Sequence, residues 1–161
     1  NVKKVNPAAA VITAASKITV DDPSVIAGKR VLVVEDGPTL THGEMKIGAG
    51  VVAARQFGAA EIVDRRPYLA GKLKDTFEKY PKIGALLPAM GYGDQQIRDL
   101  EQTIAATDCD SVIIGTPIDL NRIVKIDKPN TRVYYSLDEQ GSPNLEELVS
   151  DFVRHKVKAR N

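Results

Sequence analysis

Apolar positions along this chain fall into short blocks separated by polar turns, and the blocks alternate between two periods. Val31 to Val34 is an unbroken β-branched and leucine run, which predicts a strand buried on both faces. Ala49, Val52, Ala53 and Phe57 then recur at helical spacing, with Gly58 as a stop. Leu73, Phe77 and Tyr80 predict a helix ending before Pro81. Ile97, Leu100 and Ile104 predict another, with Asp94 as its N-cap. Val112 to Ile114 reads as a second buried strand, with briefer strands at Ala9 to Thr13, Glu61 to Val63 and Ile83 to Leu87. Arg132 to Leu137 alternates like an edge strand. Ser142-Pro143 opens a final helix by cap and first-position proline, with Leu145, Leu148, Val149 and Phe152 inward. Strands alternate with helices throughout, which predicts an α/β fold, Rossmann-like and doubly wound around a mainly parallel sheet.

The ends carry a different signal. Residues 1 to 5 read as the tail of a helix closed by Asn6-Pro7, because proline disfavours helical geometry in the residue before it. Residues 17 to 28, with Pro23, Asp21, Asp22 and Gly28, read as a connector. The expected division is 1–28 as a terminal strand and connector of a preceding domain, 29–155 as the Rossmann-like domain, and 156–161 as a basic tail. A chain that opens without methionine inside a helix is expected to be a segment of something longer.

Composition narrows the partners. With 161 residues, 43% of them hydrophobic, the chain can bury roughly two-thirds of its unfolded surface without staples. A net charge of +1 gives no argument for nucleic acid or an anionic membrane surface. One cysteine, Cys109, excludes an intrachain disulfide, and no apolar run approaches the roughly 18 residues of a membrane span. A cytoplasmic chain is the expectation. Cys109 lies between two aspartates, which disfavour its thiolate and make it a poor nucleophile.

Candidate chemistry concentrates in the loop after the first buried strand, since ligands of parallel α/β sheets bind beyond the carboxyl ends of strands. Gly48 and Gly50 at a helix start let an anion approach backbone N–H groups, where the helix dipole favours negative charge. Gly37, Thr39, Thr41, His42, Gly43 and Lys46 add backbone, hydroxyl, imidazole and ammonium donors to the same place. The alternative is that the glycines only permit close packing of helix on sheet. Glu35 and Asp36 at the strand's end suit Mg²⁺, or else cap a turn. Gly115, Thr116 and Asp119 form a second cluster suited to an amino or ribose group, or else a tight turn that Asp119 caps. Ala89 to Gly93 is a third, with Tyr92 able to stack on a ring. Arg65-Arg66 reads as a solvated face. The chain has neither G-x-G-x-x-G nor a P-loop pattern, which argues against nicotinamide chemistry and against nucleotide hydrolysis by this segment alone.

The runs VLVVEDGPTLTHGEMKIGAG at Val31 to Gly50, LLPAMGYG at Leu86 to Gly93 and DCDSVIIGTPIDLNRIVKIDKP at Asp108 to Pro129 resemble the archaeal cyclic 2,3-diphosphoglycerate synthetase and related predicted GTPases. That resemblance implies the carboxyl-terminal part of a nucleotide-dependent phosphoryl-transfer enzyme, with a P-loop part on its amino-terminal side. It implies ATP or GTP with Mg²⁺ as cofactor and a phosphorylated small acid such as 2,3-diphosphoglycerate as substrate. It places Ala14, Ala15 and Ser16 against a nucleotide base, and Gly115, Thr116 and Asp119, from their own chemistry, are expected to bind the nucleotide as well. His42 and Lys46 then act in catalysis, and Gly37, Thr39, Thr41, Gly43, Gly48 and Gly50 hold phosphate. A GTPase domain, or a binding module without chemistry that forms homodimers, is the alternative.

Overall fold

The computed structural model describes residues 1–37 and 47–158, with side chains through residue 155. Six strands form one mostly parallel sheet flanked by helices, the Rossmann-like α/β arrangement expected from the alternation of periods. The strands are β1 (Ala14–Val20), β2 (Arg30–Asp36), β3 (Glu61–Ile62), β4 (Leu87–Ala89), β5 (Ser111–Ile114) and β6 (Asn130–Glu139). Their order is β1-β6-β5-β2-β3, with β4 also paired to β2. The described helices are α1 (Val2–Val5), α2 (Ala49–Gln56), α3 (Leu73–Lys79), α4 (Asp94–Ala106) and α5 (Leu145–Lys158).

Strand β2 is central because it pairs along both edges. On one side β5 runs parallel to it from Val31↔Ser111 to Val34↔Ile114. On the other side two short strands share the edge: β3 pairs at Arg30 and Val31, and β4 pairs from Val34 to Asp36. Alternation along β2 then sorts its side chains into two layers. Leu32 and Val34 pack with Leu73, Leu100, Ile104, Val112 and Ile114 beneath α3 and α4. Val31 and Val33 pack with Val51, Ala53, Ala54 and Ile113 beneath α2. All four residues of the Val31 to Val34 run are fully buried, as a two-faced strand requires.

Contacts divide the chain into a larger unit, Ile18–Tyr135, and a smaller one made of Asn1–Lys17 and Ser136–Asn161. Every residue of the buried core belongs to the larger unit. In the smaller unit no described residue is buried, and Leu137, Leu145, Val149 and Phe152 are between 50% and 64% exposed. The inward face expected for the last helix is therefore an outward one. Its start also differs: Asn144 Oδ1 accepts from the Glu147 amide at 2.8 Å, and Glu147 Oε2 accepts from the Asn144 amide at 3.3 Å. This reciprocal box caps the helix two residues beyond Ser142, because Asn and Glu three positions apart satisfy both orphan amides.

Other elements shift in instructive ways. The first strand is Ala14–Val20 rather than Ala9 to Thr13, so part of the expected connector is sheet. Strand β6 consequently has β1 outside it instead of being an edge. Strand β4 begins at Leu87 and includes Pro88, which is tolerated because a proline lacks only a donor that an edge does not need. Helix α4 is capped by Gly93, whose amide donates to Gln96 Oε1 at 3.1 Å, and Asp94 is its first helical residue.

Candidate functional site

The carboxyl ends of β2, β4 and β5 lie side by side, since Asp36 pairs with Ala89 and the Gly115 amide donates to the Val34 carbonyl at 2.8 Å. The amino end of α2 arrives at the same place. Glu35, the penultimate residue of β2, is buried there at 4% exposure. Its Oε1 accepts the Gly50 amide at 2.7 Å and the Val51 amide at 3.2 Å, so a strand carboxylate caps the helix beside it. Three glycines fit around that carboxylate. A Cβ at Gly48 would collide with the carboxylate carbon and both oxygens. One at Gly50 would lie 2.7 Å from Val33 Cγ1 and 3.0 Å from Glu35 Oε1, and one at Gly115 2.6 Å from Glu35 Oε2.

This geometry gives the helix amides of the expected phosphate cradle a partner within the chain. Gly48 and Gly50 do open a helix start to an acceptor, and the acceptor on the Gly50 and Val51 amides is the chain's own Glu35 carboxyl. Burial pushes the Glu35 carboxyl up to about 7, and Asp36 adds to the rise, while the two amides pull it down. Desolvation outweighs the hydrogen bonds, which places the group's protonation change near neutral pH.

Glu35 and Asp36 do not face one ion together, because successive strand residues point to opposite layers. Asp36 follows Leu32 and Val34 toward the side of Tyr92, whose hydroxyl is held above its ordinary value first by burial and then by the Asp36 charge. Gly37 closes that side: a Cβ on it would lie 2.5 Å from Met90 Sδ and 2.7 Å from the Ala89 carbonyl oxygen. Among the described residues no three His, Cys, Asp or Glu side chains are grouped as a metal site. Thr39, Thr41, His42, Gly43 and Lys46 lie outside the described residues.

In the second cluster the turn reading describes what is seen. Thr116 is buried and its Oγ1 donates to the Ile118 carbonyl at 2.8 Å, and Asp119 Oδ1 accepts the Asn121 amide at 3.2 Å, capping a short 3-10 turn. Asp119 also lies 3.9 Å from Arg132 Nε. Ala14, Ala15 and Ser16 are exposed residues of β1 in the smaller unit. Cys109 is half-buried, and burial raises its thiol above the ordinary range, in keeping with a poor nucleophile.

Two buried charges escaped the sequence reading. Arg65, read as solvated, is fully buried, its guanidinium 3.9 Å from the Phe77 ring centre and its Nη1 donating to the Gly84 carbonyl at 2.6 Å. Only Arg66 of that pair is on the surface, and Asp64 pairs with both, lying 3.5 Å from Arg65 Nη1. Asp99 of α4 is 2% exposed; Oδ2 accepts the Lys72 amide at 3.0 Å and Oδ1 accepts from Gln95 Nε2 at 2.7 Å. The signal for Asp99 was faint: it precedes Leu100 at the edge of the apolar stripe, and Gly71 stands where only a glycine leaves room for its carboxylate.

The chain matches no family model and no solved structure. Over 160 residues, 99% of its length, it is 56% identical to the arginine synthetase ArcE of Thermococcus kodakarensis. It spans 36% of the length of that relative.

Proposed function

We propose that this chain is one domain of a nucleotide-dependent synthetase of the arginine synthetase kind, and that it supplies the substrate-facing crevice at the carboxyl ends of β2, β4 and β5. The observation that carries the reading is the 56% identity over 99% of the chain. The geometry favours it over a phosphorylated acid as the substrate held by the described residues. The helix amides that would take a phosphate are engaged by Glu35, and Asp36, on the other face of the strand, ends it with a carboxylate. Carboxylates suit a guanidinium or ammonium group better than a phosphate.

A synthetase drives bond formation with a nucleotide, and ATP or GTP with Mg²⁺ is the cofactor proposed for the whole protein. Phosphoryl transfer needs mainly positioning and charge neutralisation. Lys46 is proposed to neutralise phosphate charge, and His42 to orient or donate a proton.

The test is nucleotide turnover by the whole protein with Mg²⁺, ATP or GTP, and either arginine-forming substrates or 2,3-diphosphoglycerate. Arginine formation coupled to nucleotide loss, abolished in His42→Ala and Lys46→Ala proteins that keep their melting temperature, is the expected result. Turnover dependent on 2,3-diphosphoglycerate would replace the substrate assignment. Turnover untouched by both loop variants would make the domain a non-catalytic module.

A further inference from the structure

A cavity of about 260 Å³ opens between α3 and α4 at the carboxyl end of β4, lined by Lys72, Leu73, Thr76, Met90, Gln96 and Asp99 among others. It adjoins the crevice described above, because its wall at Met90 is the residue that crowds Gly37 at the end of β2. Its least ordinary feature is Asp99. The carboxylate is almost completely buried, yet its hydrogen-bond partners are two neutral donors, the Lys72 amide and the Gln95 side chain. Among the described residues no lysine, arginine or histidine forms an ion pair with it. A buried charge is normally paired, since desolvation without a counter-charge is unfavourable by several kcal/mol. The two hydrogen bonds also leave lone pairs unused, as a carboxylate accepts about four.

We propose that this cavity is a subsite for the side chain of a basic amino acid, with Asp99 receiving its guanidinium or ammonium group. The proposal rests on the arginine synthetase reading for the identity of that group, and on cavity and carboxylate alone for its charge. Leu73 and Met90 supply apolar wall for a methylene stem. Lys72 gives Asp99 only its backbone amide, which leaves its ammonium for the α-carboxylate at the other end of such a ligand. The surroundings are built to hold the carboxylate in place: Gly71, at φ +50°, is the one residue type that avoids a clash with it, and Thr103 Oγ1 ties the Asp99 carbonyl at 2.7 Å.

Calorimetric titration of the whole protein with arginine, and separately with guanidinium chloride and with 2,3-diphosphoglycerate, tests this. Asp99→Asn retains an acceptor for the Lys72 amide and removes the charge, so it is expected to fold and to weaken arginine binding by about tenfold or more. Thr76→Phe changes a half-buried residue of the wall and fills the cavity without touching Asp99, and it is expected to weaken arginine binding comparably. Arginine affinity unchanged in both variants would overturn the subsite, even if the protein makes arginine. Guanidinium binding that is lost in Asp99→Asn, in a protein that does not turn over arginine, would keep the subsite and remove the synthetase reading instead. If Asp99→Asn fails to fold, Thr76→Phe alone decides.

Discussion

Glu35 Oε1 accepts the amide hydrogen of Gly50 at 2.7 Å, and through that bond the last turn of the central strand and the first turn of α2 share one carboxylate. The arrangement binds the sheet's carboxyl end to the helix that begins beyond the loop. It also makes folding sensitive to the protonation of a single group.

That sensitivity has a definite sign. The folded state holds the Glu35 proton up to about 7, against 4.5 for the ordinary carboxyl. The folded protein therefore binds more protons than the unfolded chain between those values, and stability falls as pH rises across the window, by on the order of 3 kcal/mol. Glu35→Gln keeps an acceptor for Gly50 and cannot ionise. Relative to the parent, it is expected to gain stability on going from about pH 5 to about pH 8 in denaturant melts. A stability difference that stays constant over that range would contradict the assignment.

Gly115→Ala is expected to lose about 1–3 kcal/mol or more, because its Cβ would meet Glu35 Oε2 at 2.6 Å and the Gly50 nitrogen at 3.0 Å. If the crowding acts through Glu35, the same change in a Glu35→Ala background loses less. A double-mutant cycle from urea melts should show coupling of at least about 1 kcal/mol, whereas strictly additive effects would place the strain elsewhere.

Arg65 offers a contrasting buried charge. Its Nε and Nη2 have no hydrogen-bond partner, and burial lowers its guanidinium to about 10. Arg65→Met keeps the length and the contact with Phe77, so it should change unfolding free energy by less than about 1 kcal/mol or raise it. Arg65→Ala leaves a hole and should lose about 2–4 kcal/mol. Chemical denaturation of both variants distinguishes a charge kept for packing from one that the fold depends on.

Phe152 is 63% exposed in a unit without any buried described residue. Phe152→Ser is expected to alter the unfolding transition of this chain by no more than about 0.5 kcal/mol. It should also lower binding of a hydrophobic dye. A large loss of stability would show that this face is covered in the folded chain.

Much of this architecture could be read from pattern. The Val31 to Val34 run announces a central strand because no polar residue interrupts it, and Ile97, Leu100 and Ile104 announce α4 by spacing alone. The last helix was legible as a helix for the same reason, but its periodicity says nothing about whether another surface exists to receive it. Gly48 and Gly50 were legible as glycines that leave room at a helix start. What could not be read was that Glu35 fills it, since Glu35 and Gly50 are brought together only when strand and helix pack. Arg65 and Arg66 are chemically identical neighbours, and the Phe77 ring, twelve positions on, separates them into core and surface. His42 and Lys46 lie outside the described residues, and their part in the chemistry stays a proposal.

The two-layer sorting of β2 has one more result. Asp36 adds to the upward pull on the Glu35 proton, behind burial, although the two side chains point to opposite sides of the sheet. A cation bound near Asp36 would make Glu35 release its proton more readily, and by reciprocity deprotonation of Glu35 would tighten that cation's hold. Charge on one face of the strand is thus felt by the carboxyl on the other, behind the larger effect of burial.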